Sequence, residues 1–384
     1  MMGRRRLVKS LSGLGVSATA LATGQIEEIA AATADDTNTI VRTHSYQHTN
    51  HRAVVNGAKP TREAKFHTIP RDEWVRTETA YNAAQKIRNK VKDIPFVSVT
   101  PDVNSNKYSE TVIRVSYTTI RSGPEQKGKE IKRQPPVSLD KVQQRLPDAT
   151  SGTVEYDGRS HRISNIPIML EKESLQQSAV YSSLYRPVPA GCQLERGDFS
   201  NGTIGCPAYD MGNSQPGWIT AAHVLKRQKG VDIYQPATCC TTFLGESKKY
   251  TPYGEGDIGM FHSNGESRKY DIADKGENNY MGLEIYGVIA KDKLKDMASS
   301  NEEIYRQGKT TGRNKMKFTN YSGGEKGRVY AGKGNEKDGD SGGPWYNVEN
   351  GRSLMIASHN GAAGGDSCYA TTIIHGEEKL NITV

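Results

Sequence analysis

Apolar side chains between residues 72 and 91 recur at helical spacing, with Trp74, Tyr81, Ala84, Ile87 and Val91 along one face. Asp72 stands where a capping side chain belongs, so the spacing predicts a helix over 72–91. Short β-branched runs follow. They predict strands over 96–100, 111–117, 152–156 and 161–169, with a short helix over 138–146. Together these elements make a small α+β unit. The stretch 35–70 ahead of it is polar and irregular, and reads as a flexible linker in which His44, His48 and His51 are ordinary polar residues. Beyond residue 185 the pattern changes again. Short β-branched and aromatic runs alternate with Gly, Asn and Pro turns, which is the pattern of an all-β barrel or sandwich.

A chain of 384 residues is long enough for two modules. Its net charge of +8 is uneven: residues 185–384 carry 24 basic and 24 acidic side chains, so the excess lies before them. The C-terminal half therefore has no nucleic-acid signature, and a polyanion-binding role is left only to the N-terminal half. Arg4-Arg5-Arg6-Leu7-Val8-Lys9 and the weakly apolar run 10–22 read as an export signal of twin-arginine type within residues 1–34. That run is too short to cross a bilayer, and a secreted protein without a stable membrane span is expected. Export permits disulfides. Of Cys192, Cys206, Cys239, Cys240 and Cys368, the pair Cys192–Cys206 closes the most natural short loop, and the odd count leaves one thiol over. No paired C-x-x-C spacing is present, so no metal site is expected.

Two motifs carry chemistry. Gly339-Asp340-Ser341-Gly342-Gly343-Pro344 sets one serine among glycines, in a turn where the amides of Gly339 and Ser341 can converge on an oxyanion. A serine needs a base and something to orient that base. The base is His223, at the end of the apolar run Trp218-Ile219-Thr220-Ala221-Ala222. The orienting acid is Asp257, which opens the strand-like segment Asp257-Ile258-Gly259-Met260-Phe261; Asp271, before Ile272 and Ala273, is the other candidate. The motif Gly339-x-Ser341-x-Gly343 also fits the nucleophile elbow of α/β-hydrolases, but those place the acid and histidine after the serine. Only 43 residues follow Ser341, too few to complete that fold.

In this order His223, Asp257 and Ser341 resemble the catalytic residues of the chymotrypsin-like (trypsin-like) serine proteases. Arg306-Gln307-Gly308-Lys309-Thr310-Thr311-Gly312 resembles a turn of their small microbial, streptogrisin-like branch. The resemblance covers roughly the last 200 residues. It implies an all-β domain over 185–384 made of two Greek-key β-barrels with the site in the cleft between them, and the charged stretch 291–296 near the surface that links them. It also implies peptide-bond hydrolysis through an acyl-enzyme, with no cofactor. By the same resemblance Ser358 bonds the Asp257 carboxylate, and Ser358, His359 and Asn360 lie along the substrate backbone. Asn335 falls at the floor of the specificity pocket. Glu336 favours a basic residue at the cleaved position, or His359 an acidic one. Val224 stands where many relatives have a cysteine, so the bridge beneath the histidine is missing.

Residues 35–184 then have two readings. They are a propeptide that acts as intramolecular chaperone and inhibitor and is cut within 171–183, or they are a retained accessory domain. The expected product is a monomeric, secreted endopeptidase acting on proteins or peptides. The alternative is a catalytically silent homologue that binds peptides or protein partners in the same cleft.

Overall fold

Strand order explains how this chain builds two barrels. The computed structural model describes residues 39–91, 97–103, 111–118, 139–156, 158–173, 181, 184–198, 200–236, 241–274, 279–332, 336–364 and 367–384. The export segment at 1–34, Asn335, Cys239, Cys240 and most of the stretch 171–183 lie outside them.

The first barrel uses strands Gln193–Arg196, Cys206–Asp210, Gln215–Thr220, Asp232–Pro236, Thr241–Tyr250 and Gly259–Ser263, with the short Asn201–Thr203 as hairpin partner of the first. The second uses Glu303–Gly308, Gly312–Gly323, Arg328–Gly332, Pro344–Glu349, Arg352–Gly364 and Ser367–Thr372. Counted 1 to 6 along the chain, the strands of each follow the same cyclic order, 1-2-3-6-5-4. The second ring closes because Arg352–Gly364 pairs with both Pro344–Glu349 and Ser367–Thr372. The first curls because Asn201–Thr203, at one end of its order, runs through two residues into Cys206–Asp210 near the other. Leu194, Ile204, Trp218, Ile233, Leu244 and Phe261 fill the first barrel, and Ile304, Phe318, Val329, Trp345, Ile356 and Cys368 the second. Two barrels of one strand order, in series, are the chymotrypsin-like double-barrel fold.

Helices sit outside the barrels. Helix α1 (His51–Val55) and α2 (Arg71–Val91) come first, then α3 (Leu139–Gln143). Helix α4 (Lys291–Ser300) precedes the second barrel, and α5 (Ile373–Leu380) follows it. The helices and strands predicted between 72 and 169 form close to their expected ranges. Ala83, Ala84, Ile87 and Val91 of α2 pack on Val99, Ile113, Val115 and Ile166 of a sheet ordered Val97–Val103, Thr111–Thr118, Arg159–Glu173, Ala149–Tyr156. The charged stretch at 291–296 forms the first turns of α4, and Leu294 and Met297 of that helix are fully buried.

Two expectations are corrected. Residues 39–70 are no linker: Thr39–His48 and Arg62–Pro70 form a hairpin whose first strand adds to Ile285–Ile289, which in turn pairs with residues 353–355 of the second barrel. The stretch looks polar because its buried groups are paired. Arg42, 4% exposed, faces Glu78, Asp292 and Asp296. Nor do Cys192 and Cys206 bridge. Both are buried free thiols, as is Cys368, because Cys192 points into the first barrel's core and Cys206 into the apolar layer outside it.

Candidate active site

Register brings the base and its acid together. Strands Gln215–Thr220 and Gly259–Ser263 pair antiparallel with Thr220 opposite Gly259, so the chain leaving the first and the chain entering the second meet at one end of the barrel. His223 lies three residues past that point and Asp257 two before it. The imidazole Nδ1 sits 2.5 Å from Asp257 Oδ2, and the His223 amide donates to Oδ1 at 2.9 Å. A carboxylate beside Nδ1 fixes the tautomer with Nδ1 protonated, which leaves Nε2 as the ring's basic nitrogen. Asp271, the other candidate, is engaged elsewhere. It is buried and accepts from the amides of Ile272 and Leu283.

Asp257 is held from three more sides, by Arg227 and Thr371, which the motifs did not reveal, and by Asn360, which was expected along the substrate backbone. Arg227 Nη2 donates to Oδ1 at 2.8 Å, and its Nη1 is held by the Thr251 carbonyl. The Asp257 amide donates to Thr371 Oγ1 at 3.0 Å, and Asn360 Nδ2 donates to the Asp257 carbonyl at 2.7 Å. Thr371 in turn donates to Asn360 Oδ1. Burial pushes the Asp257 carboxyl up, yet the imidazole and guanidinium outweigh it and hold the group below its usual range. Ser358 does not bond this carboxylate as expected; its hydroxyl donates to the Gly342 carbonyl at 3.2 Å. The strand register slips between His359 and Gly361, and this bulge turns Asn360 toward the Asp257 segment instead.

Ser341 comes from the second barrel, in the turn before Pro344–Glu349. Gly339 and Gly342 sit at φ +92° and +93°, a region that side chains with a Cβ rarely enter. The turn is pressed onto the first barrel: a Cβ at Gly342 would fall 2.1 Å from Thr220 Oγ1 and 3.1 Å from the Ala221 amide. Ser341 is thereby set beside the segment that carries His223. Its carbonyl accepts from the Thr203 amide at 2.8 Å, and the Gly339 carbonyl accepts from Thr203 Oγ1 at 2.7 Å. Among the described residues, the amides of Asp340, Gly342 and Gly343 reach backbone carbonyls, whereas those of Gly339 and Ser341 reach none. Both are therefore left without a backbone acceptor, the state the sequence expects of oxyanion donors. Asp340, fully buried, locks the turn by accepting from the amides of Thr310, Thr311 and Lys337 and from Thr311 Oγ1.

The two side chains expected to set specificity face one another. His359 Nε2 lies 3.2 Å from Glu336 Oε2, and Trp345 Nε1 donates to His359 Nδ1. An indole only donates, so Nδ1 accepts and Nε2 carries the proton. Burial drives the imidazole well below its ordinary range, and the nearby Arg306 guanidinium drives it further. Burial also pushes the Glu336 carboxyl up to about 7, against the pull of Arg306. Glu336, His359 and Cys368 have ligand atoms within 4.8 Å of one another. With Trp345 on Nδ1 and the proton on Nε2, His359 has no lone pair left for a metal.

No family model matches the sequence, and no curated protein matches it. Among solved structures the chain is similar to the Rv3671c protease from M. tuberculosis in its active form, with 14% identity, 55% of this chain and 95% of that one covered, and a TM-score of 0.32. It is also similar to the inactive form of the Rv3671c protease (13%, 50% and 88%, 0.31). A third similar structure is the MamO protease domain from Magnetospirillum magneticum in its apo form (9%, 50% and 97%, 0.28). The fold assignment rests on the strand order of the two barrels.

Proposed function

We propose that the chain is a serine endopeptidase that works through His223, Asp257 and Ser341. The observation that supports this most is the convergence of three parts. They are an oriented imidazole, a serine in a strained turn pressed against the imidazole's own segment, and two amide donors without backbone acceptors beside that serine. In this reading Ser341 Oγ attacks the peptide carbonyl while His223 Nε2 takes its proton. The oxyanion is received by the amides of Gly339 and Ser341. Asp257 stabilises the imidazolium, which then protonates the leaving amine. Water, deprotonated by His223, attacks the acyl-enzyme and frees Ser341.

The order of the site favours turnover over passive binding, since a cleft that only binds peptides has no need for an imidazole held by a carboxylate. Export through residues 1–34 belongs to the same proposal. The test is hydrolysis of an unstructured protein such as casein by the full chain beside Ser341→Ala. Cleavage lost in the variant supports the proposal; equal cleavage by both sinks it.

A further inference from the structure

The hairpin at 39–70 and helix α2 touch the catalytic unit at places that a detachable pro-segment has no reason to build. Strand Ile285–Ile289 would otherwise be an unpaired edge, and residues 45–47 complete it with the register Ser45–Ile289, Tyr46–Val288, Gln47–Gly287. The approach is close: a Cβ at Gly287 would fall 2.1 Å from the Tyr46 carbonyl. Val54 of α1 is fully buried in one cluster with Ile285, Val288, Met355 and Ile373. Tyr81 of α2 is buried with Ile289, Leu294, Met297 and Phe318.

Charge is shared as well. Asp296 of α4, with its side chain 8% exposed, takes His67 at 2.6 Å and Arg42 at 3.3 Å. Lys295 of α4 donates to Glu78 of α2. Taking the hairpin away would strip Asp296 of both cations.

The third contact leads toward the site. Arg62 holds the buried Glu377 of α5 through both carboxylate oxygens, at 2.8 and 3.0 Å, and Glu377 accepts from the Val384 amide. His48 Nε2 lies 3.0 Å from the Val384 carbonyl. Helix α5 is capped by Thr372, next to the Thr371 that receives the Asp257 amide. Its His375 Nε2 meets the Glu255 carbonyl at 2.7 Å, two residues before Asp257.

We propose that residues 39–91 are a permanent subunit of the catalytic unit, which stays bound when the chain is cut ahead of the first barrel and which positions Asp257 through α5. The segment acts at the back of the second barrel, on α4, α5 and the strand Ile285–Ile289. A maturation cut therefore yields a two-chain enzyme. Retention is independent of the protease reading, whereas the positioning role rests on it.

The experiment inserts a recognition sequence for a site-specific protease between residues 177 and 178 of the full chain carrying Ser341→Ala, which prevents self-cleavage. After cutting, the sample is run on size exclusion in about 1 M salt, where exposed ion pairs are screened. Co-elution of the two fragments is expected, since the strand ladder and apolar contacts survive salt; separation overturns retention whatever the state of the pieces. The positioning role is read in an otherwise unmodified chain by Arg62→Ala and Arg62→Lys, using the pH profile of fluorophosphonate labelling at Ser341. Arg62→Ala is expected to slow labelling severalfold and to shift the acid limb, with partial recovery in Arg62→Lys. An unchanged rate and profile in Arg62→Ala overturns the positioning role. If neither the parent chain nor its variants label while the cut fragments co-elute, the protease reading fails and with it the positioning role, and retention stands.

Discussion

The side chains of Arg227 and His223 share the carboxylate of Asp257, one oxygen each: Oδ1 takes the guanidinium at 2.8 Å and Oδ2 the imidazole at 2.5 Å. The carboxylate is thus held by one permanent cation and by one imidazole N–H, and in the proposed mechanism only the imidazole takes part in proton transfer.

Arg227→Ala tests this arrangement. The folded Asp257 carboxyl lies below its unfolded value, so it contributes stability above the unfolded pKa and loses it as pH falls through the folded one. Removing Arg227 brings the folded value up. The acid limb of kcat/KM against pH is expected to move to higher pH. The rate at neutral pH should fall about tenfold, the equivalent of roughly 1.4 kcal/mol from one charge-assisted hydrogen bond. An unshifted acid limb would show that Arg227 only packs.

The two strained glycines should fail differently. A Cβ at Gly342 meets Thr220 Oγ1 at 2.1 Å and the Thr203 carbonyl at 2.3 Å, and that backbone cannot step aside. A Cβ at Gly339 meets mainly the Lys309 side chain, with Cε at 2.1 Å, which can swing away. Gly342→Ala is expected to lower Tm strongly and to abolish labelling. Gly339→Ala should keep most of its Tm while labelling falls at least tenfold, because the oxyanion turn shifts. Thermal melts and labelling rates side by side check the contrast.

Glu336 predicts a pH dependence of the opposite sign to that of Asp257. Its carboxyl is pushed up to about 7 in the fold, above the unfolded value of about 4.3. Stability from this group is full below the unfolded value and is lost as pH rises through about 7. Glu336→Gln is neutral throughout and should flatten Tm between pH 5 and pH 8, a window set roughly by those two values. A Tm profile identical to that of the parent would contradict the buried state of this carboxyl.

The site was legible where its chemistry is local. Ser341 needs glycines within two positions of it, and His223 follows a buried strand directly, so both appear as short motifs. The Ser358 bond was misplaced because alternation puts Ser358 and Asn360 on the same face, and only the bulge between His359 and Gly361 brings Asn360 to the Asp257 segment. The hairpin at 39–70 was illegible for a different reason. Its polar residues are buried by partners about 230 to 340 positions away, such as Asp296 for His67 and Val384 for His48, and no window of sequence contains both members of those pairs. The α+β unit was legible because its helix packs a regular apolar face on its own sheet.

The most direct measurement is peptide mapping of the full chain after reaction with a fluorophosphonate, with His223→Ala and Ser341→Ala as companions. The probe is expected on Ser341 alone, with labelling slowed at least a hundredfold in His223→Ala and absent in Ser341→Ala. A folded parent that takes no probe, or one that takes it equally well without His223, would contradict an activated serine at this site.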